Sequence, residues 1–597
     1  LAGILWLTVN NNTMKILLTT LNAKYVHTSL ALWYLYQFCR QDYPGLKFRE
    51  FNINQELSWI NGEIYLEHAD VVAFSCNIWN IEQILILCKR LKALSPQLAI
   101  ILGGTEVSAN PRQIMQANPA VDFIVTGEGE VTFKEWLAEL TEEEPDWAAI
   151  HGLVYRKGQE IIQNQSRSPL TDLSILPSPY PQDLAPFRQK LVYYETARGC
   201  PYSCQYCLSA NEHGVRFFPA ERVKADLLRF MEAGIAQVKF VDRSFNCNQA
   251  WAKEIWRFLL SARTGHLPKT NFHFEIVGDL LDDESLAILA EVPAGFFQFE
   301  IGVQSTNPET LALIQRRIDF DRLGKNVIKL RQSSRVFVHL DLIAGLPGED
   351  YRSFAKTFND NLFLKPDRLQ LGFLKLLHGS GLRNTAAEYG YIFSEESPYE
   401  VMSNNWISYE ELLELKVIED LLERYYNSGR FKLTLDYLIP QFPTSFELFE
   451  HFATWWKERG FDEISHKTKD LYGYLLQFCE STGDTRILRN LLKYDLLNCE
   501  RMVELPEWAG KAHPELHHQG YRFWQNPDHR QKYIPQFNEL TVRDVQRRVI
   551  FEEFDCNPRN VAAAPLDKSP LQAQIILFVY DGSRIEVHLI EKEEFEA

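Results

Sequence analysis

The chain has no uninterrupted apolar run close to the ~18 to 20 residues that crossing a bilayer requires, so neither a membrane-spanning helix nor a membrane partner is expected. It has no surplus of positive charge either. Its 62 Lys and Arg against 79 Asp and Glu leave a net charge of -17 over 597 residues. That balance argues against a surface made for indiscriminate nucleic-acid binding and leaves at most a local basic groove. Internal repeats and long low-complexity tracts are missing, which excludes repeat architectures. Cysteine is sparse: the ten residues are scattered except for one cluster. This is the usage of a reducing compartment, where thiols hold metals or fill cores, and a cytoplasmic location is expected. The opening LAGILWLTVNNNT has neither a basic leader nor a small-residue cleavage site, and MKILLTT at Met14 reads as a fresh start, so residues 1–13 are expected to be an upstream extension.

What is present is length and alternation. The chain exceeds one ordinary core, so two or three domains are expected, each able to fold without disulfides. From Lys15 to Leu140, the apolar runs KILLTTL, KFREFNI, VVAFS, AIILGG and FIVTG alternate with helical patterns, which predicts a doubly wound, Rossmann-like parallel sheet over residues 14–145. Ligands of such a sheet sit beyond the carboxyl ends of its strands, here Asn22 to Ser29, Ser75 to Asn77, Gly103 to Glu106 and Gly127 to Glu130. Residues 146–187 carry two short strands, GLVYRKG and EIIQNQ, and a linker with Pro169, Pro177, Pro179, Pro181 and Pro186, whose missing donors favour extended chain. A second series follows over residues 188–375, with strands expected near 191–196, 237–242, 271–276, 297–303, 336–343 and 368–373. Such a series predicts a partial, TIM-like (β/α)6 barrel with its chemistry at the carboxyl ends of the strands. Residues 376–597 become helical and aromatic-rich and end in a hairpin, IILFVYDGSRIEVHLI, around Asp581 and Gly582. The expected class is α/β, with a mainly helical C-terminal domain that caps the site or recognises substrate.

ETARGCPYSCQYCLSA follows the first barrel strand and carries Cys200, Cys204 and Cys207. Three thiolates on one short loop can ligate three corners of a 4Fe-4S cluster and leave one iron without a protein ligand. An open iron can chelate the amino and carboxylate groups of S-adenosylmethionine, placing its sulfonium where an electron from the cluster breaks a carbon-sulfur bond. Structural zinc is the alternative, although a closed zinc site normally takes four ligands. Cys247, in the loop after the next strand, is either a fourth ligand or ordinary packing.

R-G-C-P-Y-S-C-Q-Y-C, with Tyr206 before the last cysteine, resembles the signature of the radical S-adenosylmethionine superfamily. The likeness runs strand by strand from about residue 190 to 375 and is similar to the subgroup that includes anaerobic coproporphyrinogen oxidase. It implies that Glu275, Gln304 in EIGVQS, Arg316 and Asp341 before I-A-G-L-P-G-E hold the ribose and methionine portions of the cofactor. The chemistry agrees, since carboxylates accept hydrogen bonds from ribose hydroxyls and an arginine can clamp a carboxylate with two parallel bonds. Structural roles for Glu275 and Asp341, and a surface role for Arg316 with Arg317 in its place, stay open.

G-G-T-E after one buried strand and V-T-G-E-G-E after the next resemble the cobalamin-binding half of cobalamin-dependent radical enzymes. The resemblance implies a cobalamin site formed by Asn22, Tyr25, His27, Ser75, Gly103, Gly104, Thr105, Gly127, Glu128 and Gly129. In it the Gly-Gly pair lets the backbone approach the nucleotide tail, and Ser75 lines the tail's pocket. The D-x-H-x-x-G pattern of other cobalamin enzymes is missing, because LNAKYVHTSL offers His27 but no matching Asp or Gly. His27 is therefore expected to line the pocket or cap a helix, leaving the lower face of cobalt open. Cys39, Cys76 and Cys88 offer a competing arrangement, since methylthiotransferases carry a second cluster on three N-terminal cysteines. Cys39 and Cys88 lie in apolar helical stretches, where free cysteine behaves as a small core residue.

The resemblance implies an enzyme that cleaves S-adenosylmethionine reductively to a 5′-deoxyadenosyl radical and methylates an unactivated centre, with electrons from a donor such as flavodoxin or ferredoxin. A cyclase or reductase without methyl transfer, a methylthiotransferase-like enzyme and a non-catalytic cobalamin-binding regulator are the alternatives. The substrate is expected to be a small molecule or a modified RNA. Tyr521 to Val549, with Arg522, Arg530, Lys532, Arg543, Arg547 and Arg548, would face RNA, a phosphorylated metabolite or solvent.

Overall fold

The computed structural model describes residues 14–211, 214–263, 270–480, 485–502, 504–510, 514–564, 572–582 and 584–596, and the expected upstream extension lies outside them. The chain forms two compact units. The first reaches to Phe354 and includes Leu371–Tyr409; the second comprises Ala355–Gln370 and Glu410–Ala597.

The first unit begins with five parallel strands, β1 (Ile16–Asn22), β2 (Leu46–Asn52), β3 (Val71–Ser75), β4 (Ala99–Gly103) and β5 (Phe123–Val125), in the order β2-β1-β3-β4-β5. The near-continuous apolar runs of β1, β3, β4 and β5 follow from burial on both faces, whereas β2, at the sheet edge, keeps charged residues in LKFREFN. Leu17, Leu21, Phe74 and Leu102 pack on one side, and Ile16, Leu18, Ala73 and Ile101 on the other. β6 (Leu153–Lys157) and β7 (Glu160–Gln163) extend this sheet as an antiparallel hairpin, through the pair Phe123↔Tyr155. Leu153 and Val154, fully buried there, are the reason the hairpin joins the sheet. Strand order reverses between β1 and β3, which opens a crevice at the carboxyl ends of the strands. Asn22, Ser75, Gly103 and Val125 end neighbouring strands, so the loops after them share that edge.

Six further strands follow: β8 (Leu191–Tyr194), β9 (Gln237–Phe240), β10 (Asn271–Ile276), β11 (Phe297–Gln304), β12 (Phe337–Ala344) and β13 (Arg368–Phe373). They lie in chain order in one open sheet, so the expected partial barrel forms. β11 shows its logic. Phe297, Phe299, Ile301 and Val303 are fully buried, while the alternate residues Gln298, Glu300, Gly302 and Gln304 are only half-buried. The outer side is aromatic: Phe274 stacks on Phe240 at 4.5 Å and meets Phe245 at 4.7 Å. The edge of β8 is covered by the loop after β1, where Leu191 N–H donates to the Val26 carbonyl at 2.7 Å and His27 pairs with Leu191. A strand edge closed in this way is protected from pairing with other chains.

The second unit is mainly helical, with Tyr425, Phe431, Phe452 and Tyr472 packed together among its helices. The expected terminal hairpin forms as β15 (Gln574–Asp581) and β16 (Arg584–Ile590), and it is joined by an unexpected strand, β14 (Val549–Phe554). The run VIFEEF hides its strand character behind Glu552, which is buried only because Lys493 Nζ reaches it at 2.8 Å. Much of the basic stretch before it is used internally: Arg530 donates to the carbonyls of Trp524 and Leu540, and Lys532 pairs with Glu594 at 2.9 Å. No described helix is long and apolar enough to cross a membrane.

Phe274→Ala removes the centre of the aromatic layer. It is expected to cost about 3–5 kcal/mol, read as a lower unfolding midpoint in a thermal scan of the full chain.

Candidate active site

Cys200, Cys204 and Cys207 lie on the loop after β8, which Gly199 enters at φ +93°. Only glycine takes that conformation cheaply. All eight residues named for the cluster and for S-adenosylmethionine, the three cysteines with Tyr206, Glu275, Gln304, Arg316 and Asp341, line one cavity of about 200 Å³. Glu275 lies near the end of β10, Gln304 ends β11, and Asp341 stands within β12, so three strands converge on the cysteine loop. Gln304 and Gln315 are held at φ +73° and +52°. Such non-glycine outliers cost on the order of 1–3 kcal/mol each and persist where surrounding structure demands them.

Among the described residues, no three His, Cys, Asp or Glu side chains converge as ligands of a single metal ion would. Cys247 lies outside the cavity lining. The lining also keeps polar atoms for a ligand, because Gln304 Oε1 and Arg316 Nε are buried without a partner among the described residues. Burial pushes the carboxyls of Glu275 and Asp341 up, against the opposing pull of Arg243 at 3.7 Å from Glu275 and His339 at 2.9 Å from Asp341.

Arg243, Glu300 and Tyr202 line the same cavity and were not expected from sequence. Glu300 was findable, since period-two alternation on β11 puts it on the face of Gly302 and Gln304. Lys239 Nζ and His273 Nε2 each stand 2.8 Å from its Oε2. Burial works to raise this carboxyl, but the His273 hydrogen bond and the Lys239 charge outweigh it and hold it well below the usual range.

The expected cobalamin residues gather at the carboxyl edge of the first sheet in part. Gly127 faces open space, a Cβ at Gly103 would rest in ordinary contact with Val125 at 3.8 Å, and Thr105 is exposed at the start of a short helix. Gly104, at φ +108°, is required by the loop itself, because a Cβ there would stand 2.4 Å from the Cys76 carbonyl oxygen. Gly129 opens the helix Gly129–Glu139. The Ser75 carbonyl accepts from Thr20 Oγ1 at 2.8 Å, and Asn22 Nδ2 donates to Glu50 at 2.9 Å. Tyr25 is 73% exposed beneath Lys190. His27 packs edge-on against Tyr193 of the barrel at 5.7 Å, with its imidazole pKa lowered by burial and by nearby Lys24 and Lys239. Cys39 belongs to one face of the sheet and Cys76 and Cys88 to the other, so these three cannot share a cluster.

Glu128 and its neighbour Glu130 turn to the barrel instead. Arg198, two residues before Cys200, reaches Glu130 at 2.6 Å, Glu195 at 2.8 Å and Glu128 at 3.7 Å, while Arg216 holds Glu128 at 2.6 Å. These five side chains are only 7 to 18% exposed. Burial opposes the Arg198 charge, but Glu195 and Glu130 more than compensate and keep it ionised. The network clasps the first domain to the root of the cysteine loop.

Three family models match the chain: a B12 binding domain over residues 16–137, the radical SAM superfamily over 194–360, and a protein of unknown function, DUF4080, over 387–578. The chain thus joins a B12 binding domain to a radical SAM domain, the pairing found in cobalamin-dependent radical S-adenosylmethionine enzymes, and the cofactors of these two domains are cobalamin, a 4Fe-4S cluster and S-adenosylmethionine. The 2-(S-pantetheinyl)-carbapenam-3-carboxylate methyltransferase of Streptantibioticus cattleyicolor is 31% identical over 304 residues, covering 48% of this chain and 44% of that protein. The cobalamin-dependent radical SAM methyltransferase TokK of Streptomyces tokunonensis is 31% identical over 305 residues, with coverage of 48% and 44%. The chain thus spans less than half the length of these curated relatives. The solved cobalamin-dependent radical enzyme OxsB shares the fold, with a TM-score of 0.55 and 13% identity over 81% of this chain and 79% of that one.

Arg198→Met leaves three buried carboxylates short of their partner. It is expected to cost about 3–5 kcal/mol, measured as a lower thermal midpoint of the full chain. An unchanged midpoint would mean that the clasp contributes nothing to stability.

Proposed function

We propose that the chain is a cobalamin-dependent radical S-adenosylmethionine methyltransferase that acts on an unactivated centre. The observation that carries this reading is the convergence of eight residues on one cavity at the carboxyl ends of the barrel strands. When bound, the cluster supplies the electron for reductive cleavage of S-adenosylmethionine and cobalamin supplies a carrier for the methyl group. The chain's own residues do the rest. Cys200, Cys204 and Cys207 hold the cluster, Glu275 and Asp341 accept from ribose hydroxyls, and Gln304 offers its unpartnered amide oxygen to the same ligand. Gly127 leaves open backbone for cobalamin, and the clasp at Arg198 keeps that edge tied to the cysteine loop.

The two relatives at 31% identity carry methyltransferase names, whereas the magnesium-protoporphyrin IX monomethyl ester cyclases match at 21 to 25%, which supports methyl transfer over ring closure. The separation of Cys39 from Cys76 and Cys88 speaks against a methylthiotransferase-like second cluster. The proposed substrate is a small molecule or a modified RNA, the electron donor a flavodoxin or ferredoxin, and the compartment the cytoplasm, where scattered cysteines stay reduced.

Two measurements test this reading. After anaerobic reconstitution with iron and sulfide, Ala at any one of Cys200, Cys204 or Cys207 should abolish the broad absorption near ~400 nm and the formation of 5′-deoxyadenosine. Retained cleavage in the triple variant would refute the cluster assignment. With substrate turning over, S-adenosylhomocysteine and 5′-deoxyadenosine should form in a ratio of about one to one, and methyl label should pass from S-adenosylmethionine into product. Steady 5′-deoxyadenosine without S-adenosylhomocysteine would reject methyl transfer and leave the radical chemistry standing.

A further inference from the structure

Family likeness assigns Arg316 to the bound S-adenosylmethionine, yet its guanidinium is built into the cysteine loop. Nη1 donates to Tyr206 Oη at 2.8 Å and stands 3.7 Å from Cys204 Sγ, while Nη2 donates to the Gly302 carbonyl. The turn that carries it braces the same loop a second time: Gln205 N–H donates to the Ile314 carbonyl at 2.9 Å. Gln315, at φ +52°, sits between these two anchors, so strained backbone is maintained where the turn meets the loop. Gly302 fits the arrangement, because a Cβ there would stand 3.3 Å from Arg316 Nη2 and 2.3 Å from Gln304 Nε2. Only the Nε of Arg316 lacks a partner among the described residues.

Resting on the proposed cluster site, we infer that Arg316 is a positioning residue of that site: it fixes Tyr206 and Cys204 and holds a fixed positive charge beside the Cys204 sulfur, whatever it also contributes to S-adenosylmethionine. A cation and a hydrogen-bond donor at a ligating sulfur favour the more negative, reduced state of an iron-sulfur centre and so raise its potential. Tyr206 acts through Arg316, its hydroxyl accepting from Nη1 and keeping the guanidinium against the loop.

The test uses the full chain, reconstituted anaerobically and titrated potentiometrically with detection of the reduced cluster by electron paramagnetic resonance, in the absence of S-adenosylmethionine. Arg316→Gln should lower the ratio of reduced to oxidised cluster at a fixed potential about tenfold, a midpoint shift of about 59 mV for a one-electron couple. Arg316→Lys keeps the charge and should recover most of that shift. Tyr206→Phe keeps the charge but releases its anchor, and should move the midpoint in the same direction by less. A residue that serves only S-adenosylmethionine leaves this titration unmoved, so an unchanged midpoint in Arg316→Gln overturns the inference. If Arg316→Gln assembles no cluster, an unchanged midpoint in Tyr206→Phe overturns it instead. Absence of any 4Fe-4S signal in the unaltered chain would sink the proposed cluster site itself, a separate outcome.

Discussion

Arg198 is buried among three carboxylates, two from the first domain and one from the barrel, and the geometry of the first compact unit depends on that contact. Removing so many charges from water is costly, and mutual attraction in a low-dielectric interior compensates only when the groups meet closely. The contact therefore leaves the loop edge of the first sheet little freedom relative to the cysteine loop that starts two residues later. A chemistry that uses two cofactors on one substrate needs both held at a fixed separation, and reactants held in place convert lost entropy into rate. The loop after β1 supports the same arrangement from the other side by covering the edge of β8.

A second constraint is the polarity of the barrel lining. In an ordinary barrel of this kind the interior is filled by branched apolar side chains. Here Lys239, His273, Glu300, His339 and Asp341 occupy inner positions of β9 to β12, in pairs at 2.8 to 2.9 Å. Such groups weaken a core unless every charge is paired. The stability they forgo is recovered behind the sheet, where Phe240, Phe274 and Phe299 pack closely against the helical layer around Trp256. The barrel thus keeps a rigid apolar back and a charged interior, which is the division a site for a highly polar cofactor requires.

The sequence by itself determined the elements and the chemistry. Alternation of apolar runs placed the strands of both sheets, since a residue's preference for the inside depends on its own side chain and the period of its neighbours. The spacing of Cys200, Cys204 and Cys207 pointed to a cluster for a similar reason: three candidate ligands within eight residues need only local chain geometry. Tertiary structure alone decided what depends on partners far apart in the chain. Glu128 and Glu130 looked like members of a cofactor loop, and they face Arg198 and Arg216 about 70 to 90 residues later. VIFEEF did not read as a strand until Lys493 supplied the charge that lets Glu552 be buried. Glu300 and Arg243 joined the cavity only when separate strands brought their carboxyl ends together. Side-chain periodicity is written in adjacent residues, whereas the pairing of buried charges is settled by which distant segments the completed fold sets within 3 Å of each other.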